Sequence, residues 1–474
     1  MPAIAGAHDI VLNGISYVTE LDEDENRNFR RFYGKSFKDT VDNSTENGEH
    51  TLDRWKSYKR TDWSKGEDQK WADNDLADPS KFYDSLGVDV STPGVLTLLK
   101  DVEASKDDAL TAYANLPLLV ADGKLWLAAN DDVYYFDGSS WTAVVMQGGK
   151  VGKALAYDGD LLYVATVADK IWKSNSAKDT FTTWGDVDAI KDMIYHPGIN
   201  QIHGITATGF YRFNSSGVTQ FSKVFGTGWD LVGIDTYQGN HVIFGGGFDG
   251  QYYLFEYDQS GVSVVAQLPP GFVLTGLKSL EPNTVLLMGY KVGTAASSGV
   301  GALYTFSNGA LSWKGKIGTD TANKTYGAYV AARNENEVMI GWNYQSGLYR
   351  YSMEHGGISK NVNITSINDK VVGVAWFKGK WYYSIGGNGV YTTAATYPAA
   401  GGYLKSSMSS FKIAEKKNLK EGIIESQVME AAITTDESFT ASDTNNGGLG
   451  AVGDNTLDYR AQMYTAGNSE PIVA

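Results

Sequence analysis

The chain has 474 residues and a formal net charge of −15 at pH 7, and it contains no cysteine. These values exclude disulfides and thiolate metal sites, and they argue against nucleic acid as the main partner, because polyanions are bound by basic surfaces. No apolar run reaches about 18 residues, so no membrane span is expected. The amino terminus also lacks the basic region and apolar core of a secretory signal.

The first predicted element is a hairpin from Ile10 to Val18, turning at Asn13-Gly14. An acidic run from Glu20 to Glu25 follows. It has no glycine at the position that a calcium-binding loop requires, and charge runs are usually solvated. We therefore expect a solvated loop there.

The segment from Arg27 to Asp89 combines many charges with scattered aromatic residues and little periodicity. It is too aromatic for a disordered linker and too irregular for a core of its own. We expect an attachment arm that packs on the repeat that follows, on a neighbouring subunit, or on both. The aromatic residues expected to serve assembly are Trp55, Trp63, Trp71, Phe82 and Tyr83.

The stretch from Leu116 to Val145 predicts an antiparallel meander of four strands. Its short apolar runs are separated by Asp122-Gly123, by Asn130 to Asp132 and by Asp137-Gly138. Such pairs between apolar runs favour tight hairpins. One sheet of this kind cannot bury both faces alone, so it needs stacked neighbours.

This pattern recurs along the chain. The first turn returns at spacings from 36 residues, Asp122 to Asp158, to 52 residues, Pro282 to Asn334. The third strand has seven copies: Val133 to Phe136, Ile171-Trp172, Phe210 to Phe213, Leu254 to Tyr257, Leu303 to Phe306, Leu348 to Tyr351 and Val390-Tyr391. A period of about 40–50 residues is typical of propeller blades. We therefore predict an all-β fold, a seven-bladed β-propeller.

A closed ring of blades needs its chain ends paired within one blade, because an open ring leaves strand edges exposed. The last blade, from Val371 to Thr393, lacks an obvious fourth strand. Val95 to Val102 is the predicted strand that completes it.

The period ends after Tyr397-Pro398. Gly402 to Ser407 predicts a strand, and a strand is preferred from Ile423 onward, although Glu and Lys leave a helix over 414–432 open. The remainder to Ala474 is typical of loops of a small β domain, and continuation of the natural chain beyond it is left open. The predicted domains are an arm at 1–93, the propeller at 94–402 and a β-rich segment at 403–474.

No constellation in the sequence predicts catalysis by sialidase chemistry. Between Leu110 and Thr434 the chain has three arginines, Arg212, Arg333 and Arg350, the number that sialidases use to bind a carboxylate. Arg212 and Arg350 occupy the same place in their blades, so we expect them to share a structural role.

Other candidate groups are explained by turns. Asp131-Asp132 and the pair Asp158 and Asp160 flank turns, which aspartate favours. His196 and His203 straddle a turn without the spacing of metal ligands. Gly245 to Gly247 lacks the lysine and helix of a phosphate loop, and we interpret it as a hairpin loop. We expect no catalytic residue, no metal site and no cofactor.

Binding is better supported, because the loops between the second and third strands of the blades gather on one face and differ most between copies. Blade five carries the insertion TAASSGVG. Aromatic and amide side chains suit contact with a carbohydrate or a protein. The candidate residues on or beside these loops are Phe248, Asp249, Tyr290, Tyr344, Gln345 and Asn388.

Two flanking segments are similar to propeller-carrying tail proteins of long-tailed bacteriophages. Trp55 to Gln69, followed by Phe82 to Val88 and Pro93 to Leu96, resembles the Trp-, Gly- and Gln-marked lead-in before their first blade, with Lys65 where glycine is expected. Gly402 to Ser407, with Lys416 to Lys420, resembles the strand with which they leave the propeller. The resemblance covers about 60 residues plus the propeller.

This resemblance implies a non-catalytic virion protein of the tail tip, baseplate or fibre, made in the host cytoplasm. Its arms would attach to other tail proteins, it would form a homo-oligomer, and its propeller would serve as a scaffold or as a head that binds a host surface glycan or protein receptor. Two alternatives stay open: a glycan-binding or glycan-degrading propeller, and a cellular propeller for protein interactions. Carboxylates that converge on the propeller axis would favour a hydrolase.

Overall fold

The structure is a computed structural model. It describes residues 10–12, 15–24, 27–34, 62–70, 77–106, 110, 114–129, 132–146, 151–167, 169–292, 299–317, 328–342, 347–362, 370–398, 402–407, 423–426, 460–463 and 472–473. These residues form strands and turns, and none of them lies in a helix. The chain divides into two compact units. The first comprises Met1–Asp101, His355–Val362 and Ala395–Ala474, and the second comprises Val102–Glu354 and Asn363–Ala394.

Strands are numbered in chain order, and the first six belong to the first unit: β1 (Ile10–Leu12), β2 (Ile15–Asp24), β3 (Arg27–Gly34), β4 (Asp84–Leu86), β5 (Val88–Asp89) and β6 (Leu96–Leu98). The second unit begins with β7 (Val102–Lys106).

Seven blades follow β7 and confirm the predicted propeller. Blade one holds β8 (Leu118–Ala121), β9 (Lys124–Ala129), β10 (Asp132–Phe136) and β11 (Trp141–Val145); blade two holds β12 (Gly152–Tyr157), β13 (Leu162–Thr166), β14 (Ile171–Ser174) and β15 (Phe181–Thr183). Blade three holds β16 (Asp192–His196), β17 (Gln201–Ile205), β18 (Gly209–Phe213) and β19 (Thr219–Val224); blade four holds β20 (Asp230–Tyr237), β21 (His241–Phe248), β22 (Gln251–Tyr257) and β23 (Val262–Gln267). Blade five holds β24 (Phe272–Glu281), β25 (Thr284–Val292), β26 (Gly299–Ser307) and β27 (Ala310–Ile317).

Blade six contributes β28 (Ala328–Arg333), β29 (Glu337–Trp342) and β30 (Leu348–Ser352) to the second unit, and β31 (Ile358–Lys360), next in the chain, belongs to the first. Blade seven holds β32 (Val371–Phe377), β33 (Lys380–Ile385) and β34 (Gly389–Thr393). The last strands, β35 (Gly402–Lys405), β36 (Ile423–Ser426), β37 (Arg460–Met463) and β38 (Ile472–Val473), belong to the first unit.

Tight turns of one type join the strands of several blades. Asp122 and Gly123 both have positive φ, 52° and 67°, and they join Ala121 to Lys124. Positive φ at both central residues is the signature of the type I′ turn, whose twist matches that of the strands. The predicted first turn lies between the first two strands of all seven blades.

The second strands are buried along almost their whole length, as in β13, where all five residues are buried. A neighbouring blade covers each face, which explains why these strands read as continuous apolar runs rather than alternating ones. The core is therefore a set of clusters between successive blades. One joins Trp126 of blade one to Val164 of blade two, and another joins Leu127 of blade one to Phe377 of blade seven.

The ring closes by pairing an upstream strand into the last blade, as the sequence predicts, but the predicted strand is wrong. β7 pairs antiparallel with β34, with Val102 opposite Thr393. Leu96–Leu98 instead pairs with β5 and β38 in the first unit. Val102–Lys106 reads VEASK, with polar residues at three of its five positions, so its apolar content did not mark it as the strand that meets blade seven.

The first unit has three sheets, in the orders β1-β2-β3-β36, β37-β35-β4 and β38-β6-β5. Its core contains Phe82, Val88, Leu96 and Leu404, and Trp63 packs against them half-buried. Phe82 of the predicted arm is thus buried and Trp63 half-buried within this unit, where they pack with Leu404 from far downstream. Tyr83 lies beneath the ammonium group of Lys405, 5.1 Å from its ring centre. Trp55 and Trp71 lie outside the described residues.

Two further sequence interpretations are wrong. The pairing of β1 with β2 confirms the predicted hairpin, but Glu20 to Asp24 does not form a loop, because it lies in β2, which pairs with β3. Glu25 lies outside the described residues. The register sets Glu20 opposite Arg31, a relation that the acidic run alone does not reveal. Gly245 to Gly247 lies in β21 rather than in a hairpin loop. Gly402–Lys405 and Ile423–Ser426 are strands, as predicted.

Candidate binding surface

The loop between the second and third strands of blade four is a two-residue hairpin. Asp249 and Gly250 have φ of 50° and 75°, and Phe248 pairs with Gln251 across the turn. The Gln251 side chain anchors the loop to the residue that follows β23, because its Nε2 donates to the carbonyl of Leu268 at 2.7 Å. The turn therefore holds the Phe248 side chain at the end of the blade, where it is 44% exposed.

Phe248 rests on other aromatic rings. Trp229 stacks against it with ring centres 5.4 Å apart and an angle of 25° between the planes. Phe225 and Tyr253 lie 5.1 and 5.8 Å from Trp229, and all three are half-buried. We call Phe225, Trp229, Phe248 and Tyr253 the aromatic platform. An exposed large apolar ring that rests on a stacked tryptophan is a feature of surfaces that bind a partner or a ligand.

Glycines give the platform its shape. Gly228 has a φ of 92°, and a Cβ there would lie 3.2 Å from the Phe248 ring. In β21, a Cβ on Gly246 would lie 2.7 Å from Leu231 and one on Gly247 would lie 2.5 Å from the Tyr252 ring. These glycines therefore let neighbouring side chains approach the backbone closely. This close packing, rather than a hairpin loop, explains the glycines of β21.

Two other residues predicted for binding, Tyr290 and Asn388, lie in blades five and seven, away from the platform. Tyr290 lies in β25 opposite Gly301, and burial raises the pKa of its hydroxyl. Asn388 lies in the β33–β34 turn, where its amide donates to the carbonyl of Gly386 at 3.1 Å. Tyr344 and Gln345 lie outside the described residues.

The sequence interpretation missed Phe225 and Trp229. They lie on the connection from blade three to blade four, on the same side of the blades as the loops between second and third strands. The available signal was FGTGW, two aromatic residues separated by glycines.

Carboxylates do occur on the first strands of blades three and four, which contact each other around the ring. Asp192 accepts from the amide of Met193 at 2.9 Å and, across the blades, from that of Ile234 at 3.3 Å. Asp235 accepts from Thr236 at 2.8 Å and, across the next blade boundary, from Ser279 at 2.9 Å. Each carboxylate thus accepts hydrogen bonds from two backbone amides, one of them from the next blade. This arrangement favours a role in holding neighbouring blades together over a role as a catalytic acid or base.

A lysine on the first strand of the next blade adds a positive charge beside these carboxylates. Lys278 of blade five forms an ion pair with Asp235 at 2.9 Å. Burial raises the pKa of Asp192 to about 6, because the apolar surroundings favour its neutral form and the charge of Asp235 adds to that effect. The charge of Asp235 raises the pKa of Lys278.

The three arginines have separate surroundings. Arg350 forms an ion pair with Glu337 at 2.5 Å within blade six, and the guanidinium of Arg212 lies 5.8 Å from the Tyr257 ring of blade four. Both lie on third strands, whereas Arg333 lies on a first strand and is exposed. Two of the three are thus engaged in packing between or within blades.

His203 and Asp158, two other titratable residues considered in the sequence, have structural roles in the blades. Burial lowers the pKa of His203 to about 3, so its ring is neutral. Asp158 caps its turn by accepting from the amides of Asp160 and Leu161 at 2.9 and 2.7 Å.

Among the described residues no three His, Asp or Glu side chains are grouped as a metal site requires. None of these residues belongs to a helix long and apolar enough to cross a membrane.

No family model and no curated protein matches the chain. Solved structures with similar folds include U3-55K, at 13% identity and a TM-score of 0.47, covering 62% of this chain and 98% of the other. They also include the extracellular domain of a hybrid two-component system from B. thetaiotaomicron, at 15% identity and a TM-score of 0.48, covering 64% and 40%. A catalytically inactive virginiamycin B lyase from Staphylococcus aureus matches at 12% and 0.47, covering 62% and 98%. At these TM-scores the likenesses carry no argument about function.

Proposed function

We propose that the chain is a non-catalytic component of a phage virion tail, in which the first unit attaches to other tail proteins and the propeller binds a host receptor or serves as a scaffold. One observation carries this proposal. Within the lead-in that resembles the tail proteins, the described residues Trp63, Gly66 and Gln69 each have a distinct packing role in the first unit.

Trp63 packs against the core of the first unit. Gly66 has a φ of 79°, and a Cβ there would lie 2.1 Å from the backbone nitrogen of Ile358. Gln69 clamps Asp78 in both directions, donating to its carbonyl at 3.0 Å and accepting from its amide at 2.8 Å. Trp63, Gly66 and Gln69 are thus each held in place within the first unit, which supports the proposal that this segment is a folded attachment region.

Mass spectrometry of purified virions tests the assignment. Peptides of this chain should be present together with other tail proteins and at a fixed ratio to them. Their absence from purified particles would remove the virion proposal and leave a cellular propeller as the better explanation.

The aromatic platform favours a second candidate within the same fold, the binding of a glycan, because sugars stack on exposed aromatic faces. Phe248→Ala and Trp229→Ala should weaken the binding of the purified chain to host cells. Val264→Ala is the matched control, since Val264 lies on an outer strand of the same blade and is 58% exposed. Equal binding by all three variants would show that the platform is not the contact surface.

We propose further that Asp192 and Asp235 do not catalyse glycan cleavage, because each carboxylate already accepts hydrogen bonds from two backbone amides. Incubation with host surface glycans should release no new reducing ends. Steady release that Asp192→Asn or Asp235→Asn abolishes would favour the glycan-degrading alternative instead.

A further inference from the structure

Four side chains of the first unit meet although their segments are far apart in the chain. Lys360 of β31 forms a hydrogen-bonded ion pair with Asp84 of β4, across a sequence separation of 276 residues. The Tyr403 hydroxyl of β35 donates to the other oxygen of Asp84, Oδ2, at 2.9 Å. Glu67 interacts electrostatically with both Lys360 and Asp84. We call Glu67, Asp84, Lys360 and Tyr403 the amine–carboxyl cluster.

Backbone hydrogen bonds hold the amine and the carboxyl in place. Tyr83 donates its amide to the carbonyl of Lys405 at 2.9 Å, and the β4–β35 register sets Asp84 opposite Lys405. Gly87 donates its amide to the carbonyl of Lys360 at 3.2 Å. A nucleophile and its target fixed on neighbouring strands react with a large advantage over the same groups free in water.

Glu67 is nearly inaccessible, with 6% of the residue exposed, and its Oε2 atom has no hydrogen-bond partner. Its backbone is constrained on both sides, because Gly66 and Asp68 have φ of 79° and 100°. Such values are rare for a residue other than glycine and are associated with functional sites. The Glu67 amide donates to the carbonyl of Ile358 at 2.8 Å, which fixes the turn against β31.

Burial raises the pKa of Glu67 to about 8; the positive charge of Lys360 opposes this shift, and the charges of Asp84 and Asp68 add to it. Burial works to lower the pKa of Lys360, but the charges of Glu67 and Asp84 raise it on balance. Glu67 therefore favours its neutral form near the ion pair of Lys360 with Asp84. This arrangement can move protons, because Glu67 can give one to a carboxylate and take one from an ammonium.

We propose that Lys360 and Asp84 condense into an intramolecular amide, with Glu67 as the proton carrier. Glu67 gives its proton to the Asp84 carboxylate and takes one from the Lys360 ammonium. The free Nζ then attacks Cγ of Asp84, the Nζ–Cγ bond forms, and the bond from Cγ to Oδ1 breaks. Oδ1 leaves as water with the protons released by the amine and by Glu67, so no oxidant or co-reactant is needed.

Tyr403 has a positioning role in this step. Its hydroxyl donates to Oδ2, the atom that carries negative charge in the tetrahedral intermediate and becomes the amide oxygen. The Lys360 and Asp84 side chains are 17% and 27% exposed, which leaves the water product a way out. The amide would close a loop of 276 residues and so reduce the conformational freedom of the unfolded chain.

Intact mass measurement of the purified full chain under denaturing conditions tests the proposal directly. We expect a mass lower than the sequence mass by one water molecule. A tryptic digest should contain one branched peptide that joins the segment with Asp84 to the segment with Lys360, and it should lack cleavage at Lys360.

Variants assign the roles. Lys360→Arg and Asp84→Ala should restore the full sequence mass, and Glu67→Gln should slow or abolish the loss of water. Lys405→Arg is the matched control, because Lys405 lies opposite Asp84 in register, and this variant should still lose water. The natural chain decides the matter even where a variant fails to fold. Folded protein at its full sequence mass, or a loss of water that maps to other residues, overturns the proposal.

Discussion

Replacement of Glu337 by alanine should strongly destabilise the propeller, because one buried carboxylate there joins two blades. Its Oε2 accepts from Nε of Arg350 at 2.7 Å within blade six, and its Oε1 accepts from the indole of Trp381 in blade seven at 2.9 Å. The side chains of Glu337 and Arg350 are 12% and 15% exposed, so water cannot readily take the place of the carboxylate.

The alanine variant removes the Glu337 carboxylate from the Arg350 guanidinium and from the Trp381 indole N–H. Removing one partner of a buried ion pair costs about 3–5 kcal/mol, and an unsatisfied buried donor costs about 1–3 kcal/mol. The two costs overlap at one side chain, so we expect a loss of about 3–5 kcal/mol in the free energy of unfolding. Glu337→Gln retains an acceptor for Trp381 and should cost less.

Urea unfolding of the full chain, followed by tryptophan fluorescence, measures these differences. Glu335→Ala is the matched control, since Glu335 is exposed in the adjoining turn and its replacement should change stability by no more than about 0.5 kcal/mol. Combining Glu337→Ala with Arg350→Met should recover part of the loss, because no unpaired charge then stays buried. A cost of less than about 1 kcal/mol for Glu337→Ala, or one no larger than that of the control, would contradict the role of this carboxylate between the blades.

Three further predictions follow from the same structure. Deleting residues 1–98 should leave a closed propeller, whereas deleting 1–106 also removes β7 and should cause aggregation, which size-exclusion chromatography would detect; equal behaviour of the two would refute closure through β7. Gly246→Ala should destabilise by about 1–3 kcal/mol in urea unfolding, since its Cβ would lie 2.7 Å from Leu231, and an unchanged midpoint would contradict this close packing. Because the pKa of Glu67 rises from an ordinary 4.5 in the unfolded chain to about 8 when folded, its stabilising effect is complete below pH 4.5 and is lost as pH rises through about 8. Unfolding at about pH 5 and about pH 8 should show a loss of a few kcal/mol that Glu67→Gln removes; the same pH dependence in that variant would disprove the assignment.

Local patterns in the sequence determined the repeat and its strands. Apolar runs of strand length, cut by pairs such as Asp122-Gly123 and Lys378-Gly379, specify hairpins through interactions between residues close in the chain. Seven such meanders require stacking to cover both faces of each sheet. The fold class and the number of blades therefore followed from the amino-acid sequence, and so did the assignment of Asp158 and Asp160 to a turn.

Only the tertiary structure decided which distant segments meet. Val95 to Val102 and Val102 to Lys106 both suit an edge strand, and the choice between them depends on how residues 84–98 pair within the first unit. Gly245 to Gly247 reads as a loop until Leu231 and Tyr252 are seen to approach its backbone. Local pattern fixes what a segment can form, whereas its partner is selected by packing over the whole chain.

The candidate sites show the same division. Phe248 could be predicted as a loop aromatic, because its hairpin is encoded locally, but its stacking on Trp229 joins two separate connections of the propeller. The pairing of Asp84 with Lys360 depends on residues 276 positions apart, and no periodicity or motif relates them. Charge and burial at such a meeting point arise only when the chain has folded, and they determine the chemistry that the side chains can perform.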